Sequence, residues 1–369
     1  MYFMRVLIVS GAGGGTAKGR IGKYFHLQEF GDALTKFGVE YKLVRETDYA
    51  TGFPSKNIRD WFPYKRKFKK LIKDFKPDVI FVDRQSHFGL QAIKAKIPLF
   101  VYLRGNYWME VEMAKKTIYK DPVMRMVVWL RHRIAEKVFR ECAGVFMTAD
   151  YLDEVIKKHH PNTKTYHFLE GINASHWYPA KQMDLKHPCV GMLQDANWWG
   201  KTKEMLTLDK VIEEMPDVTF YWAGDGQYRD KILPVLGKHE NFQWLGSLDY
   251  PDRVREYLST IDVYALPTGM DTTPLSSREA QLMERPVVAT RIGGIPEVVI
   301  DKKTGFLVAE SDYKGWIEKI RLLVGDKKLA TEIGKAGRQF IIENYNWEIV
   351  AKRFVDAATE YLSNKKKLR

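Results

Sequence analysis

Val263-Tyr264-Ala265-Leu266-Pro267-Thr268-Gly269-Met270-Asp271-Thr272-Thr273-Pro274-Leu275-Ser276-Ser277-Arg278-Glu279-Ala280 is the stretch that decides how the chain is read. Residues 263–266 form a short apolar run closed by Pro267 and Gly269, the pattern of a strand buried in a parallel sheet. Pro274, with its fixed φ, suits a first helical turn, and the free amides of that turn can receive a diphosphate. Immediately downstream, Arg285-Pro286-Val287-Val288-Ala289-Thr290-Arg291-Ile292-Gly293-Gly294-Ile295-Pro296-Glu297-Val298-Val299 supplies a second strand, a glycine turn and another helix start. Strand, helix and strand in this order put the 267–274 loop at the carboxyl edge of a parallel sheet, where such folds bind ligands. Asp271 is placed in that loop and Glu279 more than a turn inside the helix. The two carboxylates can then accept hydroxyl protons from different parts of one elongated ligand. The competing reading makes Asp271 a helix cap and Glu279 a solvated residue on the helix face.

The same alternation runs outward through the chain. Strands are expected at 189–193, 218–222, 242–245, 263–266 and 287–289 in the second half, and at 6–9, 41–44, 79–82, 99–103 and 145–147 in the first. A helix is expected over 23–37, ending at Gly38. The class is therefore α/β, with two doubly wound parallel sheets. Small and kinked residues from Gly171-Ile172-Asn173 to Trp177-Tyr178-Pro179 read as a linker. The expected division is an N-terminal domain over 1–175, a C-terminal domain over 176–346 and a final helical segment over 347–369 that returns to the first domain. The length of 369 residues suits two cores.

Composition narrows the function classes. Apolar residues at 45% and charged residues at 28% are ordinary globular values. The two cysteines, Cys142 and Cys189, are far apart and belong to no CxxC motif, which argues against a disulfide framework or a thiolate metal site. An N-terminus without a basic and apolar leader, and the absence of any apolar run near ~18 residues, lead to the expectation of a cytoplasmic protein, peripheral at most on the inner membrane face. The net charge of +13 favours anionic partners. A basic segment with aromatics, Trp61-Phe62-Pro63-Tyr64-Lys65-Arg66-Lys67-Phe68-Lys69-Lys70-Leu71-Ile72-Lys73, reads as a solvated helix packing Phe68, Leu71 and Ile72 inward, with an anionic membrane surface as its alternative partner. Residues 123–130, with Met124, Met126 and Trp129, form a second such candidate. No nucleic-acid-binding motif accompanies the charge, so no nucleic-acid partner is expected.

After the first strand comes Gly11-Ala12-Gly13-Gly14-Gly15-Thr16-Ala17-Lys18-Gly19-Arg20-Ile21-Gly22. Glycines here let backbone amides approach an anionic or sugar ligand. The dinucleotide fingerprint fails because Thr16 stands at its third glycine, and a Walker motif fails because Tyr24 follows Gly22-Lys23.

The segment with Asp271, seven residues and Glu279, followed by Pro286-Val287 and Gly293-Gly294-Ile295-Pro296-Glu297, resembles the donor-binding signature of glycosyltransferase family 4. That is the group 1, retaining family with the GT-B fold, two Rossmann-like domains facing a cleft. The likeness extends to Gly224-Asp225-Gly226, Phe242-Gln243-Trp244-Leu245-Gly246, Thr304-Gly305-Phe306-Leu307-Val308 and Trp347, and is looser in the first half. It implies transfer of a hexosyl group from a UDP- or GDP-sugar to a glycan, lipid-linked or small-molecule acceptor, without a metal or other cofactor. By this resemblance Glu279 holds the ribose hydroxyls and Asp271 contacts the donor sugar. Thr273, Pro274, Leu275 and Ser276 meet phosphate or sugar, and Gly224, Gly226 and Trp244 border the base, with Gly22 a further donor contact.

Three positions depart from the family pattern. Asp271 is one methylene shorter than the usual glutamate. Arg104 stands where the family commonly has a histidine near the reacting sugar, and an arginine does not act as a base near neutrality. Met192 replaces an arginine, so the cation facing the departing diphosphate is assigned to Lys201, beyond Trp199-Gly200 and close to Lys203. The catalytic candidates are thus Asp271, Arg104 and Lys201. The alternatives are a nucleotide-sugar epimerase of similar fold, and a catalytically silent scaffold or nucleic-acid-binding protein.

Overall fold

The computed structural model describes residues 4–11, 17–117 and 119–367. It contains two parallel sheets of six strands each. The first comprises β1 (Met4–Ser10), β2 (Val39–Arg45), β3 (Val79–Val82), β4 (Leu99–Leu103), β5 (Gly144–Met147) and β6 (Thr165–His167), in the order β2-β1-β3-β4-β5-β6. The second comprises β7 (Cys189–Leu193), β8 (Thr219–Ala223), β9 (Phe242–Gly246), β10 (Val263–Leu266), β11 (Val287–Thr290) and β12 (Gly305–Val308), in the order β12-β11-β10-β7-β8-β9. All the strand pairings are parallel. Helices cover both faces, so strands such as β3, β5 and β10 are buried at every residue rather than at alternate ones.

These strand orders fix where ligands can bind. In a doubly wound sheet the crevice lies beyond the carboxyl ends of the two strands at which the order reverses. In the first sheet those strands are β1 and β3, and in the second β7 and β10. Two loops remote in sequence are therefore neighbours at each such point.

The chain divides into two compact units, 1–172 with 346–369, and 173–345. The division falls at 172 because Asn173 caps the short turn Ala174–His176, and Arg255 and Arg338 donate to the carbonyls of His176 and Trp177 within the second unit. The helix Trp347–Lys367 belongs to the first unit. Phe354 is fully buried there, 5.5 Å from Phe30 and 5.3 Å from Phe81, and Trp347 Nε1 donates to Glu29.

Three local expectations change. The first helix spans Ala17–Thr35 instead of starting at 23 and reaching 37, so Gly19 and Gly22 are helical. A helical glycine costs about 1 kcal/mol relative to alanine, which is less than the gain from burying the Leu27, Phe30 and Leu34 face completely. Residues 304–308, not among the expected strands, are largely the edge strand β12, and β6 was not expected at all. The basic helix Lys65–Phe75 buries Phe68 and Leu71, with Ile72 partly covered, and exposes its lysines.

Candidate active site

The second unit builds its site where β7 and β10 lie side by side. Gln194, just past β7, donates through Nε2 to the carbonyl of Pro267, just past β10, at 3.1 Å. The Gly269 amide donates to the carbonyl of Lys201 at 3.1 Å. A Cβ at Gly269 would stand 2.3 Å from the Gly200 carbonyl, so only glycine permits this approach of the two loops. The result places Lys201 Nζ 2.7 Å from Asp271 Oδ2, with side chains 24% and 12% exposed. Burial favours the neutral amine, but the charges of Asp271 and Asp195 outweigh it and hold the Lys201 pKa above its ordinary value. Lys201 is therefore a cation across the neutral range. Asp271 Oδ1 accepts from the Thr272 amide at 3.0 Å, so this carboxylate is oriented by its own loop and does not cap the following helix.

That helix is Leu275–Leu282. Its cap residue is Pro274, extended at φ −61° and ψ 129°, which offers no side-chain acceptor to the first amides. The helix begins one residue later than expected because proline takes the cap position. Glu279 is 4% exposed, which removes the solvated-face reading. Thr273 and Pro274 are buried, while Leu275 and Ser276 are half-buried at the helix start. The Tyr264 hydroxyl lies 2.7 Å from Ser276 Oγ and 3.2 Å from the Leu193 carbonyl, linking strand ends and helix. Its pKa is pushed up by burial and by the charges of Glu279 and Asp271, against a hydrogen bond with Ser276 that acts the other way. Both carboxylates thus act on one hydroxyl.

Arg278 is a residue the sequence reading missed. It is fully buried, donates through Nη2 to the Thr273 carbonyl at 3.2 Å, and lies with its guanidinium carbon 5.2 Å from the centre of the Tyr345 ring. It fixes the loop before the helix from behind. Nothing in the sequence separates it from a surface arginine, because helical position alone does not tell which face is covered. Tyr264 was read only as a residue of a buried strand and Gln194 was not singled out, because the partners of a strand end are set by its neighbours in the sheet.

At the adjacent strand ends, Gly224 and Gly226 adopt φ of 153° and 156°. A Cβ at Gly224 would stand 1.9 Å from the Gln194 carbonyl. Trp244, in the middle of β9, donates through Nε1 to the Gly224 carbonyl at 2.8 Å, and the Arg229 guanidinium lies 5.3 Å from its ring centre. Trp244 remains 37% exposed, an aromatic surface with one fixed edge.

Arg104 lies in the first unit, at the end of β4. Its Nε donates to Asp83 Oδ1 at 2.5 Å, its Nη2 stands 3.0 Å from Glu170 Oε1, and its guanidinium packs over Tyr102 at 4.7 Å. Burial opposes its charge, yet Asp83, Glu170 and Tyr102 together push the pKa above the usual arginine value. Asp83 follows β3 and approaches Gly11 after β1, where a Cβ would meet Arg84 at 3.0 Å and the Asp83 carbonyl at 3.1 Å. Gly22 lies in the helix Ala17–Thr35, and residues 12–16 of the glycine loop lie outside the described residues. Of the expected residues of the second unit, Lys201, Asp271, Thr273, Pro274, Leu275, Ser276 and Glu279 therefore gather beyond β7 and β10, and Gly224 and Gly226 lie just past the adjacent β8 and Trp244 on β9, while Arg104 pairs with Asp83 and Glu170 in the first unit.

Two doubly wound units of this kind are the GT-B fold. Sucrose-phosphate synthase from Thermosynechococcus elongatus superimposes with a TM-score of 0.73 at 14% identity, covering 98% of this chain and 100% of that one. HepE of Anabaena, in complex with UDP and glucose, gives a TM-score of 0.69 at 14% identity over 96% and 99% of the two chains. Residues 189–326 match the glycosyl transferases group 1 family. The sulfoquinovosyl transferase of Arabidopsis thaliana is 32% identical over 40% of this chain and 29% of its own length. The GDP-mannose-dependent monoacylated alpha-(1-6)-phosphatidylinositol monomannoside mannosyltransferase of Corynebacterium glutamicum is 29% identical over 42% of this chain and 43% of its own length. The chain thus spans less than half the length of these curated relatives.

Proposed function

We propose that this protein is a retaining glycosyltransferase that moves a hexosyl group from a UDP- or GDP-sugar to a glycan, lipid-linked or small-molecule acceptor. The observation that carries the reading is the Lys201–Asp271 pair at the reversal of strand order, beside the uncapped start of Leu275–Leu282 and the buried Glu279. The match of residues 189–326 to the glycosyl transferases group 1 family supports it and favours neither an epimerase nor a silent scaffold. One neighbour of the same fold was solved with UDP and glucose, and one relative is named for GDP-mannose, which supports these two donor classes.

In this reading Glu279 accepts the ribose hydroxyls, Trp244 borders the base beside Gly224 and Gly226, and Asp271 accepts from a donor-sugar hydroxyl. The bond from the anomeric carbon to the diphosphate oxygen breaks as the acceptor oxygen bonds to the same face. The acceptor proton passes to a departing phosphate oxygen. Lys201 and the amides at the helix start stabilise the negative charge that develops there, so the donor site needs no divalent metal. Thermal denaturation with UDP, GDP, ADP and their sugars in EDTA tests this. One nucleotide family is expected to raise the Tm of the wild type, and Glu279→Ala to weaken its binding at least ~10-fold by removing a charge-assisted hydrogen bond. A donor whose turnover disappears in EDTA, or Glu279→Ala binding as well as wild type, would overturn the assignment.

A lipid-linked acceptor draws support from the first unit. Ile58, Phe62 and Tyr64, and Val123, Met126 and Trp129 of the helix Pro122–Glu141, are exposed large apolar side chains. Their segments are tied together by Lys56–Asp121 at 3.3 Å and by Arg131 donating to the Pro54 carbonyl at 2.6 Å. Exposed Lys65, Arg66, Lys67, Lys69, Lys70 and Lys73 accompany them. No helix of the described residues is long and apolar enough to cross a membrane. Binding to phosphatidylserine vesicles at low salt, lost at high salt and weakened in Trp129→Ser, is expected. Absence of vesicle binding at low salt removes the membrane as a partner.

A further inference from the structure

We infer that His187, Cys189 and Asp262 form a binding site for a zinc-like divalent cation at the amino edge of the second sheet. The cysteine had no metal-ligand partner in the sequence, because Asp262 is remote in the chain and His187-x-Cys189 alone is not a metal motif. The fold supplies the rest. Val263 pairs with Val190, which sets Asp262, before β10, beside Cys189, the first residue of β7. One ligand atom from each of the three side chains lies within 4.8 Å of the others.

The sulfur–nitrogen edge already fits a tetrahedral ion, and the nitrogen–oxygen edge comes close to one. Cys189 Sγ lies 3.6 Å from His187 Nδ1. Zinc bonds of ~2.3 Å to sulfur and ~2.0 Å to nitrogen give a sulfur–nitrogen edge of about 3.5 Å. His187 Nδ1 stands 2.8 Å from Asp262 Oδ2, and that edge has to open by roughly 0.6 Å when a hydrogen bond gives way to coordination. Two half-exposed side chains can make this adjustment, His187 being 44% and Asp262 40% exposed. The Cys189 amide donates to Asp262 Oδ2 at 2.8 Å and so orients the carboxylate. The thiol proton leaves to solvent as the ion binds, and water fills the fourth position. Sulfur, imidazole and carboxylate together select zinc or cobalt over magnesium or calcium.

The site is separate from the proposed transfer chemistry. Cys189 begins β7, whose other end feeds the Lys201 loop, four strand steps or about 13 Å away. A bound ion would clamp the residues leading into β7 onto the start of β10, giving a stabilising role with no part in turnover.

The test uses the full chain, stripped with chelator and dialysed, then titrated with Co²⁺. One equivalent is expected to produce a thiolate-to-cobalt charge-transfer band and tetrahedral visible bands, both bleached by Zn²⁺. Saturating Zn²⁺ should raise the Tm by about 5 °C. Cys189→Ser should abolish the charge-transfer band and Cys142→Ser should keep it. His187→Gln, at an exposed position that spares the core, should weaken Co²⁺ binding at least ~10-fold. A wild type without the band, a band that survives Cys189→Ser, or unchanged affinity in His187→Gln would each overturn the site. None of these readouts depends on glycosyl transfer.

Discussion

Lys201→Ala is expected to lower kcat by roughly 10²–10³-fold, the loss typical when a group facing developing negative charge is removed from a preorganised site. Met192, within β7, stands where the resemblance leads one to expect an arginine and is fully buried in the core, and the loop after β7 places the Lys201 ammonium against Asp271 instead. The charges of Asp271 and Asp195 hold its pKa above the ordinary lysine value, and the ion pair with Asp271 positions it. Steady-state kinetics with the nucleotide sugar identified by thermal shift provides the measurement. Lys201→Arg should retain more activity than Lys201→Ala because it keeps the charge, though not the geometry. Alanine also leaves the Asp271 carboxylate without its cation, so each variant must be melted in parallel. The double variant Lys201→Ala with Asp271→Asn should recover stability without recovering turnover. A fall in kcat of less than ~10-fold for a folded Lys201→Ala would assign the diphosphate to another cation.

The second large effect is on stability. Arg104→Ala is expected to destabilise the first unit by about 3–5 kcal/mol, because it strips the cation from two carboxylates. The Asp83 and Glu170 side chains are only 4% and 3% exposed. For a unit of this size the change corresponds to a fall in Tm of about 10 °C. Replacing the whole cluster, Arg104→Met with Asp83→Asn and Glu170→Gln, should restore most of it, since neutral groups of similar volume leave no buried charge. A folded Arg104→Ala with unchanged Tm and a large loss of kcat would instead make Arg104 a direct ligand of substrate.

The sequence alone determined the class of each half. Parallel strands covered by helices on both faces are continuous apolar runs, so β3, β4, β7 and β10 could be read at their exact bounds. The edge strand β6, Thr-Tyr-His and only partly covered, carries no such run and was missed. Spacing also put Asp271 in a loop and Glu279 within a helix, because helix and loop are local states of the chain. Burial is not local, and the interior positions of Glu279 and Arg278 followed only from what packs around the helix. Tertiary structure also chose the partners. Lys201 meets Asp271, and Cys189 meets Asp262, because β7 and β10 are neighbours despite the strands that intervene between them in the chain. Arg104 meets Asp83 through the pairing of β3 with β4. Hydrophobic periodicity marks which residues belong in strands, but strand order is decided by how helices of given length pack across the sheet, and so the charge pairs appear only once the sheet is assembled.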